Sequence, residues 1–373
     1  MPSDILNGLE LGVPGPTADT RVISDLGQLE ALAESWDSLA AQESSPTRHF
    51  DWLRACAATF IAGRALHVLT VGGAAELAAV LPLVRQVGRL GRLHLIGAAE
   101  IDEPMDVLAR DMAAVDALAE ALWQLKRPLL LKRLPEESPL LAAIPRAYRG
   151  RGVVIWRREA SCPWIPLDRT WQEPERHLNA RRRSDLRRAW RVAEREGGVS
   201  SEILATRADE LDPLLQQAFK VEAAGWKGVC GSALVQDPVR QGFYRRYAAA
   251  AAEQGTLRLC FLRIGGRIAA MQLAVERGDR FWLLKIGYDE TFARCSPGTL
   301  LMLETLRYAA ERKLASYELL GTSEPWTRVW TQHEHGCVSL QAYPATTHGM
   351  AALVSSLAAM GGRRLGRVIA AAE

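Results

Sequence analysis

The 373-residue chain has six cysteines and no C-x-x-C pair among them. That scatter excludes a disulfide framework of the secreted type and fits reduced thiols in a cytosol. Long apolar runs are missing as well. Nothing reaches the roughly 18 consecutive apolar residues of a membrane span. The nearest stretch, Met350–Met360, is interrupted by Ser355 and Ser356 and followed by GGRRLGR. It reads as a terminal helix (346–373) packed on the body, with membrane-surface attachment as the minor alternative. The opening MPSDILNGLELGVPGPTADT lacks the basic start and apolar run of a secretory peptide. Residues 1–20 therefore read as a flexible leader, and the expected location is cytoplasmic. A large excess of one charge sign is missing: a net +3 permits an anionic ligand without arguing for DNA or RNA. The GxSxG, Walker, HExxH and Rossmann fingerprints are all absent.

What is present suits a globular protein of two domains, 21–160 and 161–345, since the length exceeds one ordinary domain. In the first, LGQLEALAESWDSLAAQ has helical spacing through Leu29, Leu32, Trp36 and Leu39, and Asp51–Phe60 reads as a second helix. Strand-like runs LHVLTV, ELAAVLPLV and RLHLIG follow. Then come a helix over Asp111–Leu125, the strand PLLLKRL and a helical SPLLAAIPRAYRGRG. The second half has a similar order without a residue-level repeat. A basic helix (about 174–196) stops at Gly197-Gly198, and helices Asp209–Ala224 and Pro238–Gln254 follow. Three apolar strands, TLRLCFLRI, RIAAMQLAVE and RFWLLKIGYD, are joined by hairpin signals at Gly265-Gly266 and Gly278-Asp279. A helix over Pro297–Lys313 leads into the strand SYELLG. The linker is expected at Arg157–Pro166, where REASCPWIP breaks regular structure. The fold class is α+β: mixed, mostly antiparallel sheets flanked by helices.

The most informative segment is the start of the Pro297 helix. Ser296 is a good N-cap residue, Pro297 suits the first helical position, and Gly298 adds no side chain at the next. First-turn N–H groups and the positive end of the helix dipole then form an anion site fit for a pyrophosphate, with Ser296, Pro297, Gly298, Thr299 and Leu300 as its residues. A well-capped helix that binds nothing carries about equal weight on local sequence alone.

Three antiparallel strands, a capped helix and a further strand form the order in which GNAT acyltransferases hold the CoA pyrophosphate. Here the chain resembles the CelD/BcsL-type acetyltransferases, named for cellulose biosynthesis and related to the FemAB peptidoglycan transferases. Tyr288-Asp289, Ser296-Pro297-Gly298 and Leu300-Leu301 carry the resemblance, followed by Glu318, Gly321, Glu324-Pro325, Trp326 and Trp330. Trp36 with Leu39, Phe50 with Trp52, AVLPL at 79–83, RRRSDLRRAWRVAEREGG and the Trp226 of VEAAGWKG extend it over nearly the whole chain. Two positions depart: Thr327 stands where the family has Lys, with Arg328 following, and Glu318 replaces an Asp. The resemblance implies tandem GNAT-like domains with acyl-CoA, acetyl expected, as co-substrate and no metal. It implies direct transfer to a small polar or anionic acceptor, namely a sugar, amino sugar or amino acid in surface polysaccharide synthesis.

Acyl transfer to an amine needs a base and a carbonyl-polarising donor. Asp289, at the end of an apolar strand just before the anion-binding helix, is the first candidate base, against loop capping or a buried ion pair. Glu318, mid-strand in SYELLG, is the second, against a salt bridge with Lys285 or an Arg. Gln272 interrupts an apolar strand, and Lys285 shares a face with Asp289. Together with Trp226, Glu324, Arg328 and Trp330 they form the expected acceptor-binding set. His333, His335 and Cys337 alternate as metal donors would, yet nothing completes a closed zinc site, so pocket-rim residues are the stronger reading. Arg181, Arg182, Arg183, Arg187, Arg188, Arg191 and Arg195 crowd one helix. A solvated face is the plain reading, a cradle for an anionic ligand the sharper one. RNA is the minor option, and it underlies the alternative of a FemAB-like aminoacyl-tRNA-dependent transferase. Thr327 underlies a further alternative, a non-catalytic partner protein of a polysaccharide system.

Overall fold

The computed structural model describes residues 19–88, 91–225, 231 and 233–370, with side chains of the last helix described to 358. Its strands in chain order are β1 (Thr20–Ile23), β2 (Arg64–Leu66), β3 (Val68–Gly72), β4 (Leu77–Leu81), β5 (Leu83–Gln86), β6 (Leu93–Leu95), β7 (Leu108–Ala109) and β8 (Leu129–Pro135). They continue as β9 (Gly152–Pro166), β10 (Val199–Leu204), β11 (Leu257–Ile264), β12 (Arg267–Arg277), β13 (Arg280–Tyr288), β14 (Ser316–Glu318) and β15 (Glu334–Pro344). The helices are α1 (Leu26–Glu30), α2 (Ala33–Leu39), α3 (Phe50–Phe60), α4 (Ala98–Ile101), α5 (Met112–Gln124) and α6 (Leu140–Tyr148). Beyond them lie α7 (Ala180–Arg195), α8 (Leu211–Ala223), α9 (Pro238–Glu253), α10 (Pro297–Glu311) and α11 (Thr347–Ala370). Local chemistry sets several starts. Asp111, Asn179 and Asp237 each accept a first-turn N–H with the side chain, and Pro238 follows the last of them.

Among the described residues, four strands form one sheet in the order β1-β3-β4-β7, and eleven form another: β10-β11-β12-β13-β14-β9-β15-β8-β6-β5-β2. Most neighbours are antiparallel, and β13/β14 and β6/β8 are parallel. The α+β expectation is met, and the two hairpins of β11–β13 turn where the Gly265-Gly266 and Gly278-Asp279 pairs put them.

Two strands correct the linker expectation. Arg157–Pro166 lies inside β9, which pairs with β15 over most of its length and with β14 at its end. β15 also pairs with β8, so a strand from the end of the chain sits between two strands of the first half. The halves are thereby sewn into one continuous sheet. The expected boundary at 160/161 falls mid-strand. The larger apolar core likewise runs from α3 and β3–β5 into α8, α9 and β11–β13, while a second gathers beneath α10. Trp52 of α3 meets Phe243 and Tyr247 of α9 edge-on at 5.0 and 4.8 Å. Asp51 pairs with Arg277 at 3.1 Å alongside.

Candidate active site

β13 and β14 run side by side only from Arg280–Trp282 to Ser316–Glu318. Past that point β13 continues to Tyr288 while the other strand turns away through Leu320 and Gly321, at φ of 53° and 54°. For leucine this left-handed backbone is strained, and strain of this kind is retained where the surroundings over-determine it. A cavity of about 630 Å³ opens into the split. Gln272, Gly287 and Tyr288 form one wall, the start of α10 another, and Glu324, Trp326 and Trp330 a third. Gly287 is needed here because a Cβ would come within 2.6 Å of the Glu222 backbone on α8.

Ser296, Pro297, Gly298 and Thr299 line this cavity. The mechanism differs from the expected cap. Ser296 is itself left-handed (φ 47°), and its side chain makes no capping bond. Its carbonyl instead accepts from Thr299 and Leu300 N–H at 3.0 and 3.1 Å. With Pro297 lacking a donor, Gly298 N–H is the first-turn donor left without an acceptor among the described residues. Gly298 lines the cavity, with the helix dipole behind that N–H. Leu300 points away into the core, and Leu301 and Met302 line the wall in its place.

A second cavity of about 240 Å³ adjoins the first and shares Gly321, Glu324 and Trp326 with it. Its far wall comes from the first half of the chain: Ile101, Asp102 and Glu103 face Lys285 of β13. Glu103 is only 7% exposed, and its Oε2 accepts from Gly321 N–H at 3.0 Å. Burial pushes its carboxyl up to about 7, against the lowering influence of that bond, Lys285 and Arg133. Arg133 of β8, itself buried, donates to the Gly321 carbonyl and to Cys162 Sγ, so the strained turn is gripped from both sides. Sequence reading missed Glu103 and Arg133. An acid in the loop EIDEP carries no periodicity signal, and only the sheet order brings it to β13.

Several candidates move. Asp289 lines neither cavity: it caps a 3-10 turn through Thr291 N and Oγ1 at 2.9 and 2.7 Å and faces Arg267 at 3.4 Å. Glu318 is also outside both cavities. It is 2% exposed and holds Arg280 at 3.0 Å, Ser316 Oγ at 2.6 Å and His335 Nε2 at 3.2 Å. Burial raises its carboxyl, but the bonds from His335 and Ser316 and the nearby charges outweigh it, and the net shift is downward. These contacts match the capping and ion-pair alternatives that the base assignment was weighed against. Gln272 does line the large cavity, and its Oε1 accepts from Tyr317 at 3.1 Å. Arg328 is exposed and outside both cavities. Thr327 is buried, its Oγ1 accepting from Glu324 N–H and donating to the Glu324 carbonyl. It closes the turn that places Glu324, a role no lysine can copy. Trp226 and Cys230 lie outside the described residues. His333 and His335 both pack on Trp164, with centroids 5.4 and 5.0 Å away, and Cys337 Sγ sits 3.9 Å from Cys162 Sγ.

Replacing Glu318 with Gln removes the closer of Arg280's two carboxylates, leaving Asp279 at 3.7 Å, and is expected to destabilise the fold by about 2–3 kcal/mol. That lies below the range for a fully buried pair because Arg280 is 35% exposed. Turnover per folded molecule should stay near wild type. Because the folded carboxyl titrates below its unfolded value, this contribution is present above about pH 4.3 and is lost on further acidification. Denaturant melts of both proteins across pH 3–7 check it: converging stabilities at the acid end are expected, and parallel curves would contradict the pairing.

Residues 180–328 match the family model of the acetyltransferase (GNAT) domain. The matched segment contains both sides of the split and the whole lining of the large cavity but for Val329 and Trp330. No curated protein matches the chain. Among solved structures, the C-terminal DUF2156 domain of a protein named as a lysylphosphatidylglycerol synthetase from Agrobacterium fabrum aligns with a TM-score of 0.56. Its identity is 12%, covering 88% of this chain and 96% of that one. FemX aligns with a TM-score of 0.53 at 11% identity, over 87% and 97%. These two likenesses show a shared fold extending across both halves. A tandem GNAT protein of the clavulanic acid biosynthesis pathway aligns at 0.47 and 12% identity, over 88% and 98%.

Proposed function

We propose that the protein is an acyl-CoA-dependent N- or O-acyltransferase, with acetyl-CoA as the expected donor. The observation that carries this is one continuous cavity running from the first turn of α10 along the unpaired edge of β13. A pyrophosphate suits the Gly298 N–H and the helix dipole. An extended pantetheine arm suits a strand edge that β14 has left, pairing as an added strand would. The acyl carbon then reaches the wall shared with the small cavity, where the acceptor enters. Cys295, the thiol nearest the helix start, is buried and pushed up by that burial, which favours direct transfer over an acyl-enzyme. The first half (21–160) contributes the acceptor wall, and residues 161–345 the transfer machinery. Resemblance to the CelD/BcsL type makes a sugar, amino sugar or amino acid of surface polysaccharide synthesis the acceptor class, in the cytoplasm.

A second reading has one observation behind it. Arg181, Arg182, Arg187, Arg188, Arg191 and Arg195 are exposed on α7 with no acid partner among the described residues. A polyanion such as an aminoacyl-tRNA donor would use that face. Calorimetric titration of the full chain with acetyl-CoA and octanoyl-CoA separates the readings. Micromolar binding of either supports the first, with the chain-length preference naming the donor. Binding of neither, with salt-sensitive tRNA binding in its place, supports the second.

A further inference from the structure

We infer that Glu103, brought in from the first half of the chain, is the general base of the reaction and that the small cavity holds a primary-amine acceptor. The inference rests on the acyl-CoA reading above and goes beyond it in naming the base and the chemical class of the acceptor.

Position comes first. Of the acids weighed for this role, Asp289 and Glu318 touch neither cavity, whereas Glu103 lines the smaller one beside the wall it shares with the larger. The shared residues, Ile286, Leu319, Gly321, Thr322, Glu324 and Trp326, mark where donor and acceptor meet. Glu103 is fixed rather than floppy: Oε2 is committed to Gly321 N–H, and Arg133 holds the carbonyl of the same residue. Oε1 has no partner among the described residues and is the atom left to act on a ligand. A base must be oriented before its basicity matters.

Charge then selects the acceptor. Asp102, Glu103 and Glu324 line the small cavity against Lys285 in its lining and Arg133 at 4.0 Å from Asp102, so acids outnumber cations and the field favours an ammonium over the anionic acceptor that the arginine helix suggested. At about 240 Å³ it has room for roughly eight waters at about 30 Å³ each, enough for an amino-sugar ring or an amino-acid side chain.

The step balances without a further reagent. The bound ammonium loses one proton to solvent through Glu103. The free amine attacks the thioester carbonyl, forming the C–N bond, and Glu103 takes the second nitrogen-bound proton as the C–S bond breaks. CoA leaves as thiolate and is protonated to the thiol, and the amide remains. Below about pH 7 Glu103 is protonated and cannot accept, so turnover rises with pH through that value. Groups facing it are Lys285 on β13, Arg133 on β8, Tyr244 on α9, Cys162 on β9 and its own neighbour Asp102. Lys285 and Arg133 pull its pKa down and Asp102 pushes it up.

The test measures CoA thiol release by the full chain from acetyl-CoA with glucosamine, lysine and ethanolamine, each beside its hydroxyl counterpart (glucose, 6-hydroxynorleucine, ethylene glycol). Acetyl-CoA affinity is measured by calorimetry on the same samples. At least one amine and none of the hydroxyl partners should be acetylated. Glu103→Gln should lower kcat by about 100-fold or more and lose the acidic limb of the pH profile, with acetyl-CoA affinity unchanged. Lys285→Met should keep that limb and move it to higher pH, a shift that a merely structural role would not produce. Glu103→Gln with near-wild-type kcat and an intact limb overturns the base assignment. Acetyl-CoA binding with no amine acetylated, or with hydroxyls acetylated equally, overturns the acceptor class. Failure of the wild type to bind acetyl-CoA fells the underlying reading, and the calorimetry separates that case from the others. Should Glu103→Gln not fold, the Lys285→Met limb decides: an unmoved limb counts against Glu103.

Discussion

Gly298→Leu is expected to weaken acetyl-CoA binding by about 100-fold or more, roughly 2.7 kcal/mol, with little change in thermal stability. A Cβ at 298 would meet nothing closer than Tyr288 Cδ1 at 3.6 Å, an ordinary contact, and the backbone there is not left-handed. Alanine therefore fits, and Gly298→Ala should retain most binding. A leucine must extend into the cavity, over the one first-turn N–H that has no acceptor, so the pyrophosphate is displaced by volume rather than by unfolding. Calorimetry on the two variants beside a melting curve reads this directly. Wild-type affinity in the leucine variant would place the donor elsewhere. Loss in both variants at unchanged melting temperature would mean that the approach to the N–H tolerates not even a methyl.

Much of this was legible beforehand, and the exceptions have physical causes. Local signals survived: the Gly-Gly and Gly-Asp hairpins of β11–β13, the Pro297 helix and its Gly298 all sit where periodicity and turn chemistry put them. Pairing between distant segments did not. β9 carries Arg157, Arg158 and Glu159 on largely exposed positions and shows no clean alternation, so it reads as a linker until β15 arrives beside it from 170 or more residues away. The site divides the same way. Gln272 and the start of α10 were visible as a polar residue in an apolar strand and as a helix start. Asp289 and Glu318 were visible only as acids in apolar surroundings, a pattern that a cap or an ion pair satisfies as well as catalysis does. Glu103 was invisible, because its burial is created by residues from the other half. Thr327 changes meaning too. Where resemblance suggested a missing lysine, the hydroxyl turns out to close the Glu324 turn, so restoring lysine would break that turn before it could report on activity.

Trp52→Ala is expected to destabilise the whole chain by about 3–5 kcal/mol, a large share of the stability of an ordinary fold. Trp52 is fully buried and packs edge-on against Phe243 and Tyr247. Its Nε1 makes no hydrogen bond among the described residues, so the loss is one of packing. Trp52→Phe should therefore recover a good part of it. Because one sheet and one core run through both halves, unfolding of the alanine variant should remain a single transition at lower denaturant. Two separated transitions, with only the first moved, would show that the halves are energetically independent. The site is expected to register the change as well. α9 carries Tyr244, whose ring lies 5.0 Å beneath Lys285 Nζ in the wall opposite Glu103. A helix loosened at Trp52 lets Lys285 drift, and the acidic limb of the pH profile should blur before the protein unfolds. Measured at a denaturant concentration where the alanine variant is still folded, turnover that falls ahead of the melt would tie the packing of α3 on α9 to the geometry of the acceptor pocket. Turnover that tracks the folded fraction would confine Trp52 to stability alone.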